Sequence, residues 1–518
     1  MGRRQFPHVR ALDVAGTGLA ATVVLVSVLG GLVTLPLQRA DLLWPFYWLL
    51  VALGIGCAVT TPRRRWATWA PWTFVVPWAV LVAWMPSALG RAPDQALGRL
   101  EIERLLVCLI ISGVLLFGVR GSRAGLRGMR IGWLLGLLVS VAIGGWEIVT
   151  KEHLLFLDSR GTWVFGDGRL ASGTFINPNN FATVLVGMIV GTLALRAGVA
   201  RGRRPRAAVA LDVVAVAGAV VVVFTQSRSA LIALAVVGAL EVVRRRAARR
   251  APLGVPRGTQ PGSPVLGTPA AVSPAIGTPA IGTPAADPTR RRTWWAALTA
   301  VGALAVASVT VPALARHNPL VELVSMLGDE ETLRSDNLRI ELIRAALGQL
   351  RDSGYLGSGA GAFEPLLAAD PPSSVIKVTN LHNSFVELLS QYGIVVGLVH
   401  AVSLVMVFAV AAWPGRAVGR LARLRALPLD SRVEIGGYLA AYLAFGITAS
   451  SALTFSAWWL LHASACISWW VAVRAHSEKP LIAASDAITE PIPTFPNDEG
   501  SRAKSAFKHP SRTIVLNA

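Results

Sequence analysis

The chain has 518 residues, 53% of them hydrophobic and only 15% charged, with a formal net charge of +20. A soluble domain carries about 25% charged residues, so too little charge is present to cover a water-facing surface. Apolar runs of about 20 residues recur almost throughout. They are continuous blocks of Leu, Val and Ala rather than the short alternating segments of a barrel, which predicts an all-α, polytopic integral membrane protein. The positive charge sits in short loops between apolar runs, a pattern of topology determinants and membrane-lipid contacts, not of a nucleic-acid surface.

The first apolar run, Ala11 to Leu35, is too long for the core of a signal peptide and reads as the first span. Arg3, Arg4 and Arg10 ahead of it predict a cytoplasmic N-terminus. Spans are then expected at 11–36, 41–60, 66–86, 104–119, 131–150, 178–197, 207–224, 229–243, 294–313, 384–412, 435–452 and 455–474. Every second loop is basic: Arg63 to Arg65, Arg120 to Arg130, Arg196 to Arg206, Arg244 to Arg292 and Arg416 to Arg425. About twelve spans, with both termini cytoplasmic, satisfy that alternation. Trp44, Trp66, Trp84, Trp294, Trp295 and Trp470 fall near span ends, where indole rings prefer to sit. Cys57, Cys108 and Cys466 all lie in apolar runs, so neither a disulfide framework nor a metal site is implied, and no cofactor is expected.

The domain reading follows. Residues 1–250 form a first membrane domain of about eight spans. The Gly-Thr-Pro-Ala repeats of 251–292 read as a disordered cytoplasmic linker, 293–313 as span nine, and 314–383 as a large extracytoplasmic loop. Residues 384–475 supply the last three spans, and 476–518 a disordered cytoplasmic tail. Within the large loop, Asn337 is placed to cap a helix running to about Leu350, with Leu338, Leu342, Ala345 and Ala346 on one face.

The polar residues of chemical interest lie in the outside loops. Asn177-Pro178-Asn179-Asn180 precedes span six and reads equally as a turn or as a substrate contact. Arg228, in Ser227-Arg228-Ser229, stands at the mouth of a very short hairpin on the side that should be poor in arginine. A charge held near the apolar zone favours a functional role over snorkelling. Arg339 follows Asn337-Leu338, and an arginine fork suits phosphate. Glu341 is two residues on and does not face it. In Leu381-His382-Asn383-Ser384-Phe385-Val386-Glu387, an imidazole stands just ahead of an apolar helix with Asn383 or Ser384 as its N-cap. Taken alone, His382 reads as a capping residue or as a general base.

Other signals are weaker. Gly357-Ser358-Gly359-Ala360-Gly361 has no strand before it and opens no nucleotide-binding unit, so a hinge is expected. Asp329-Glu330-Glu331 reads as a solvated acidic run. No Asp-x-Asp pair occurs, so metal-assisted glycosyl transfer finds no support.

Taken together, Gly-x-Phe-x-Asn-Pro-Asn before one span, Ser-Arg-Ser at a short hairpin, and a large loop ending in His-Asn-x-Phe-x-x-x-Leu-x-x-x-Gly resemble the O-antigen ligase and polysaccharide polymerase superfamily, over roughly residues 100–475. The resemblance implies a metal-independent glycosyltransferase working on the extracytoplasmic face of the inner (cytoplasmic) membrane. Its donor would be an oligo- or polysaccharide on a polyprenyl-diphosphate carrier, and its acceptor a hydroxyl of a glycan, lipid or protein. It implies that His382 is catalytic and that Arg228 and Arg339 bind the diphosphate, with Arg169, Asn179, Asn383 and Glu387 in support. The competing class is a transporter or flippase. Against it, no repeat of broken helices is visible and acids within spans are few, Glu147 being the main one.

Overall fold

A computed structural model describes residues 7–34, 44–60, 68–153, 170–175, 177–202, 204–250, 330–371, 381–412, 427–448 and 452–477. The predicted linker 251–292, the predicted span 294–313 and the tail beyond Ser477 lie outside these residues. Contacts divide the chain into Met1–His476 and Ser477–Ala518, and the described helices belong to the first unit up to its last residue.

Among the described residues the structure is helical, with no strand. The helices are α1 (Pro7–Thr34), α2 (Trp44–Val59), α3 (Trp69–Arg91), α4 (Gln95–Val119), α5 (Arg123–Thr150), α6 (Pro178–Arg201), α7 (Pro205–Phe224), α8 (Arg228–Arg250), α9 (Glu330–Asp352), α10 (Phe363–Ala369), α11 (Ser384–Ala412), α12 (Leu429–Thr448) and α13 (Ser456–Ser477). Six of them, α3 to α7 and α11, are long and apolar enough to cross a membrane. Helices also underlie the predicted spans at α1, α2, α8, α12 and α13. They fall short of that standard because α1 and α2 carry shorter apolar stretches, α8 ends in arginines, α12 opens on Asp430, Arg432 and Glu434, and α13 is rich in Ser, His and Trp.

Several helices start earlier than the apolar runs that predicted them. Asp94 caps α4, its Oδ1 accepting the N–H groups of Ala96 and Leu97 at 2.8 and 3.0 Å, so the helix begins at Gln95 rather than near 104. Ser122 caps α5 by accepting Gly125 N–H at 2.9 Å. The expected Arg120 to Arg130 loop is therefore a three-residue turn, and Arg123, Arg127 and Arg130 ride on α5. Helix α9 begins at Glu330, and Asn337 lies inside it rather than at its cap. Charge bars a residue from lipid, not from a helix, and acids in a first turn suit the positive end of the helix dipole.

Helix α13 is the axis of the fold: every residue from Ala457 to Ala472 is buried. A helix covered on all sides needs apolar or internally satisfied polar residues all round. Trp458 stacks on Tyr442 with centroids 4.8 Å apart, and Trp459 Nε1 donates to Leu453 O at 2.7 Å. A polar seam joins four helices beside it. Tyr442 Oη lies 2.5 Å from His400 Nε2, and Ser403 Oγ donates to Thr73 O at 2.5 Å and lies 3.3 Å from His462 Nε2.

The two ends of the bundle differ in chemistry. At one, Arg120, Arg123, Arg201, Arg204, Arg244 to Arg246, Arg249, Arg432 and Arg474 gather at helix termini. Across this end the buried Glu434 of α12 pairs with Arg130 of α5 through both carboxylate oxygens. At the other end α3, α5, α7 and α12 finish, α4, α6, α8, α11 and α13 start, and α9 and α10 pack. Here Glu147 anchors the loop before α6, accepting the N–H groups of Ser172 and Gly173 at 2.8 Å each.

Candidate functional site

The site is built where α9 and α10 meet the start of α11. Leu342 and Ala346 of α9, Phe363 and Leu367 of α10, and Leu381 form a small apolar core of their own, with Leu338 and Val386 against it. Burying Leu381 fixes its neighbour His382, which sits at φ +52°, a left-handed conformation uncommon outside glycine. That turn lets Asn383 cap α11: its Oδ1 accepts Val386 N–H at 3.1 Å and its carbonyl accepts Glu387 N–H at 2.9 Å. Asn383, not Ser384, is thus the cap, and Ser384 is the first helical residue with its hydroxyl buried.

The strained turn leaves the imidazole near enough to Arg339 to feel its charge. Burial lowers the pKa of His382, and the Arg339 guanidinium lowers it further, to about 4 from an ordinary 6.5. The ring is therefore neutral around pH 7 and able to accept a proton. Asn337, the expected cap, lies seven residues beyond Glu330, so Arg339 stands in the third turn of α9 rather than its first, and is half-buried.

Arg228 belongs to the same end of the bundle. It is the first residue of α8 and is exposed, after a tight turn in which Gln226 takes φ +56°. Its neighbour Ser229 places Oγ 2.7 Å from Thr448 Oγ1 at the end of α12. Two residues earlier in α12, Gly446 lies so close to Phe385 that a Cβ there would fall 2.5 Å from the ring. Phe385 is three residues beyond His382, so packing links the Arg228 hairpin to the start of α11. Of the two arginines, it is Arg339 whose charge acts on His382.

The remaining expected residues separate. In Asn177-Pro178-Asn179-Asn180 the capping work is done by Asn177, whose Oδ1 accepts Asn179 N–H at 2.8 Å with Pro178 in the first turn. Asn179 contributes its carbonyl to Thr183 Oγ1 at 2.9 Å. Arg169 lies outside the described residues. Glu387 does not reach back to the cap; its Oε1 accepts Gln391 Nε2 at 3.3 Å, inside the membrane-facing helix.

The glycine-rich segment 357–361 is a fixed plug. Helix α11 breaks at Gly393 (φ 86°, ψ 172°), which frees the carbonyls of the preceding turn. Ser358 N–H donates to Ser390 O at 2.8 Å, Gly359 N–H to Gln391 O at 3.1 Å, and Ile394 N–H to Tyr355 O at 3.0 Å. Arg91 holds the plug from α3, donating from Nε to Gly357 O and from Nη2 to Leu356 O, both at 2.8 Å. Its amides are committed to carbonyls and, at Gly357, to the Ser353 hydroxyl at 3.1 Å, which is why they form no phosphate cradle.

Sequence reading missed the polar group beneath this plug. Tyr392 Oη donates to Glu101 Oε1 at 2.7 Å, and Gln391 is buried between α4 and α11. Glu364 of α10 stands near enough to act electrostatically on Glu101, and burial raises its own pKa. The available signal was Glu101 itself, an acid ahead of a long apolar run, which the late start assigned to span four had left outside the helix.

Residues 213–401 match the family model described as Wzy_C, O-antigen ligase, a stretch that contains Arg228, Arg339, His382, Asn383 and Glu387. No curated protein matches the chain. The match over residues 213–401 supports a relationship of the chain to the O-antigen ligase superfamily.

Proposed function

We propose that this membrane protein transfers an oligo- or polysaccharide from a polyprenyl-diphosphate carrier to an acceptor hydroxyl on the extracytoplasmic side of the inner membrane. The observation that carries the reading is the pairing of a neutral His382 with the cation Arg339 at the lip of a membrane helix. The match of residues 213–401 to the O-antigen ligase family model supports glycan transfer as the chemistry.

The steps follow from charge. The sugar's anomeric carbon loses its bond to the diphosphate oxygen, which leaves with the electron pair and gains negative charge. Fixed guanidinium groups, Arg228 and Arg339, stabilise that charge with paired donors. The acceptor oxygen forms the new bond to the anomeric carbon and its proton passes to His382, acting as general base. A pKa near 4 makes His382 a weak base in the free protein. Burial is the larger cause of that depression; a diphosphate lying against Arg339 cancels the guanidinium's smaller share and adds negative charge of its own, so the base strengthens when donor is bound.

The test is transfer of labelled glycan by purified protein, from a carrier-linked donor to glycan, lipid and protein acceptors supplied in turn. His382→Asn tolerates the left-handed backbone but cannot take the proton, and is expected to fold and lose about a hundredfold to ten-thousandfold in kcat. Arg228→Ala and Arg339→Ala are expected to raise KM for the donor as well as lower kcat. Full turnover in His382→Asn, or in both arginine variants, excludes the mechanism.

A further inference from the structure

At the end of the bundle opposite His382, we infer a binding site for a phosphate group, supplied by an anionic lipid head group, in a cavity of about 180 Å³ between the C-terminal turns of α6 and α8 and the start of α12. Its wall carries Arg196 and Arg201 of α6, Arg244, Arg245 and Arg249 of α8, and Asp430 of α12.

The floor is a network of ion pairs. Arg244, only 5% exposed, pairs with Glu241 at 2.6 Å and donates from Nη1 to Leu193 O at 3.2 Å. Arg245 bridges Glu241 and Asp212, with 2.7 Å to the latter, and Arg196 reaches Asp212 at 3.0 Å. Such a network fixes the forks of three arginines more than it stabilises the fold. At the mouth, Arg201 meets Asp430 at 2.7 Å while remaining 62% exposed, and Arg249 is exposed. Five guanidinium groups face three carboxylates, an excess of two positive charges. A head-group phosphodiester, with its single negative charge, offsets half of that excess and has acceptor oxygens to use donors that single carboxylates leave over.

A lipid source is favoured by the depth of the cavity. Val213 of α7, next to Asp212, and Val243 of α8, next to Arg244, are 61% and 52% exposed. An apolar outer surface therefore reaches the level of the arginines. That is where a bilayer places head-group phosphates, and basic side chains there contribute about 1 kcal/mol each toward anionic lipid.

The experiment is native mass spectrometry of the full chain purified in detergent, offered phosphatidylglycerol or phosphatidylcholine. Wild type is expected to retain phosphatidylglycerol selectively. Arg201→Gln with Arg249→Gln should lower that retention by at least about fivefold. The control pair Arg204→Gln with Arg206→Gln removes the same charge from exposed residues outside the cavity and should leave retention unchanged. Displacement of the lipid by millimolar inorganic pyrophosphate, with the same sensitivity to the cavity variants, keeps the phosphate site but moves its source to a free phosphate. Equal retention of both lipids, or equal loss in the two double variants, overturns the site.

Discussion

Arg339 and His382 are coupled across the junction of α9 and α11: burial and the guanidinium charge together hold the imidazole neutral, at a pKa of about 4. The acid limb of kcat/KM for the donor, which reports the free protein, is therefore expected near pH 4 rather than 6.5. In Arg339→Gln the charge is gone but burial remains, so the limb should rise only part of the way to 6.5. The kcat limb, which reports the donor-bound protein, is expected above the kcat/KM limb in wild type. Coincident limbs in a pH profile of labelled-glycan transfer would show that donor does not relieve the field.

The same shift carries a stability prediction of definite sign. Unfolded, His382 takes up its proton near pH 6.5; folded, it resists until about 4. The unfolded state therefore binds more protons between these values, and stability falls as pH drops from 6.5 toward 4. Comparing thermal unfolding of wild type and His382→Asn across that range isolates the contribution, which should vanish above pH 7.

How much of this was legible follows from what each residue has to satisfy. His382, Asn383 and Arg228 could be found because a cap, a charge and a short turn declare themselves locally. Glu101 and Arg130 could not: a charge in an apolar stretch looks like the end of a span until its partner, Tyr392 or Glu434, is brought to it from about three hundred residues away. The break at Gly393 was hidden for the same reason. The motif His-Asn-x-Phe…Gly gives its position, yet the carbonyls it frees are satisfied by a segment whose glycines suggested only a hinge.

That break makes Gly393 a sharp test of packing. A Cβ there would fall 2.4 Å from Leu356 O, and the φ of 86° is costly for any other residue. Gly393→Ala is expected to destabilise by roughly 2 kcal/mol or more. Gly348 of α9 has open space around it, so Gly348→Ala should instead stabilise by about 0.5–1 kcal/mol through helix propensity. Midpoints of thermal unfolding in detergent read both, and equal effects would contradict the plug.

The ion pair between Arg130 and Glu434 ties α5 to α12, both side chains lying mostly or fully out of solvent. Removing one partner leaves a charge buried without its counterion, so Glu434→Gln is expected to cost about 3–5 kcal/mol. Replacing both by Met removes the charge problem together with the attraction, and should cost less than either single change. A double-mutant cycle on unfolding midpoints measures the coupling. If the double variant is as unstable as the sum of the singles, the pair contributes no mutual stabilisation and the join of α5 to α12 rests on its apolar packing alone.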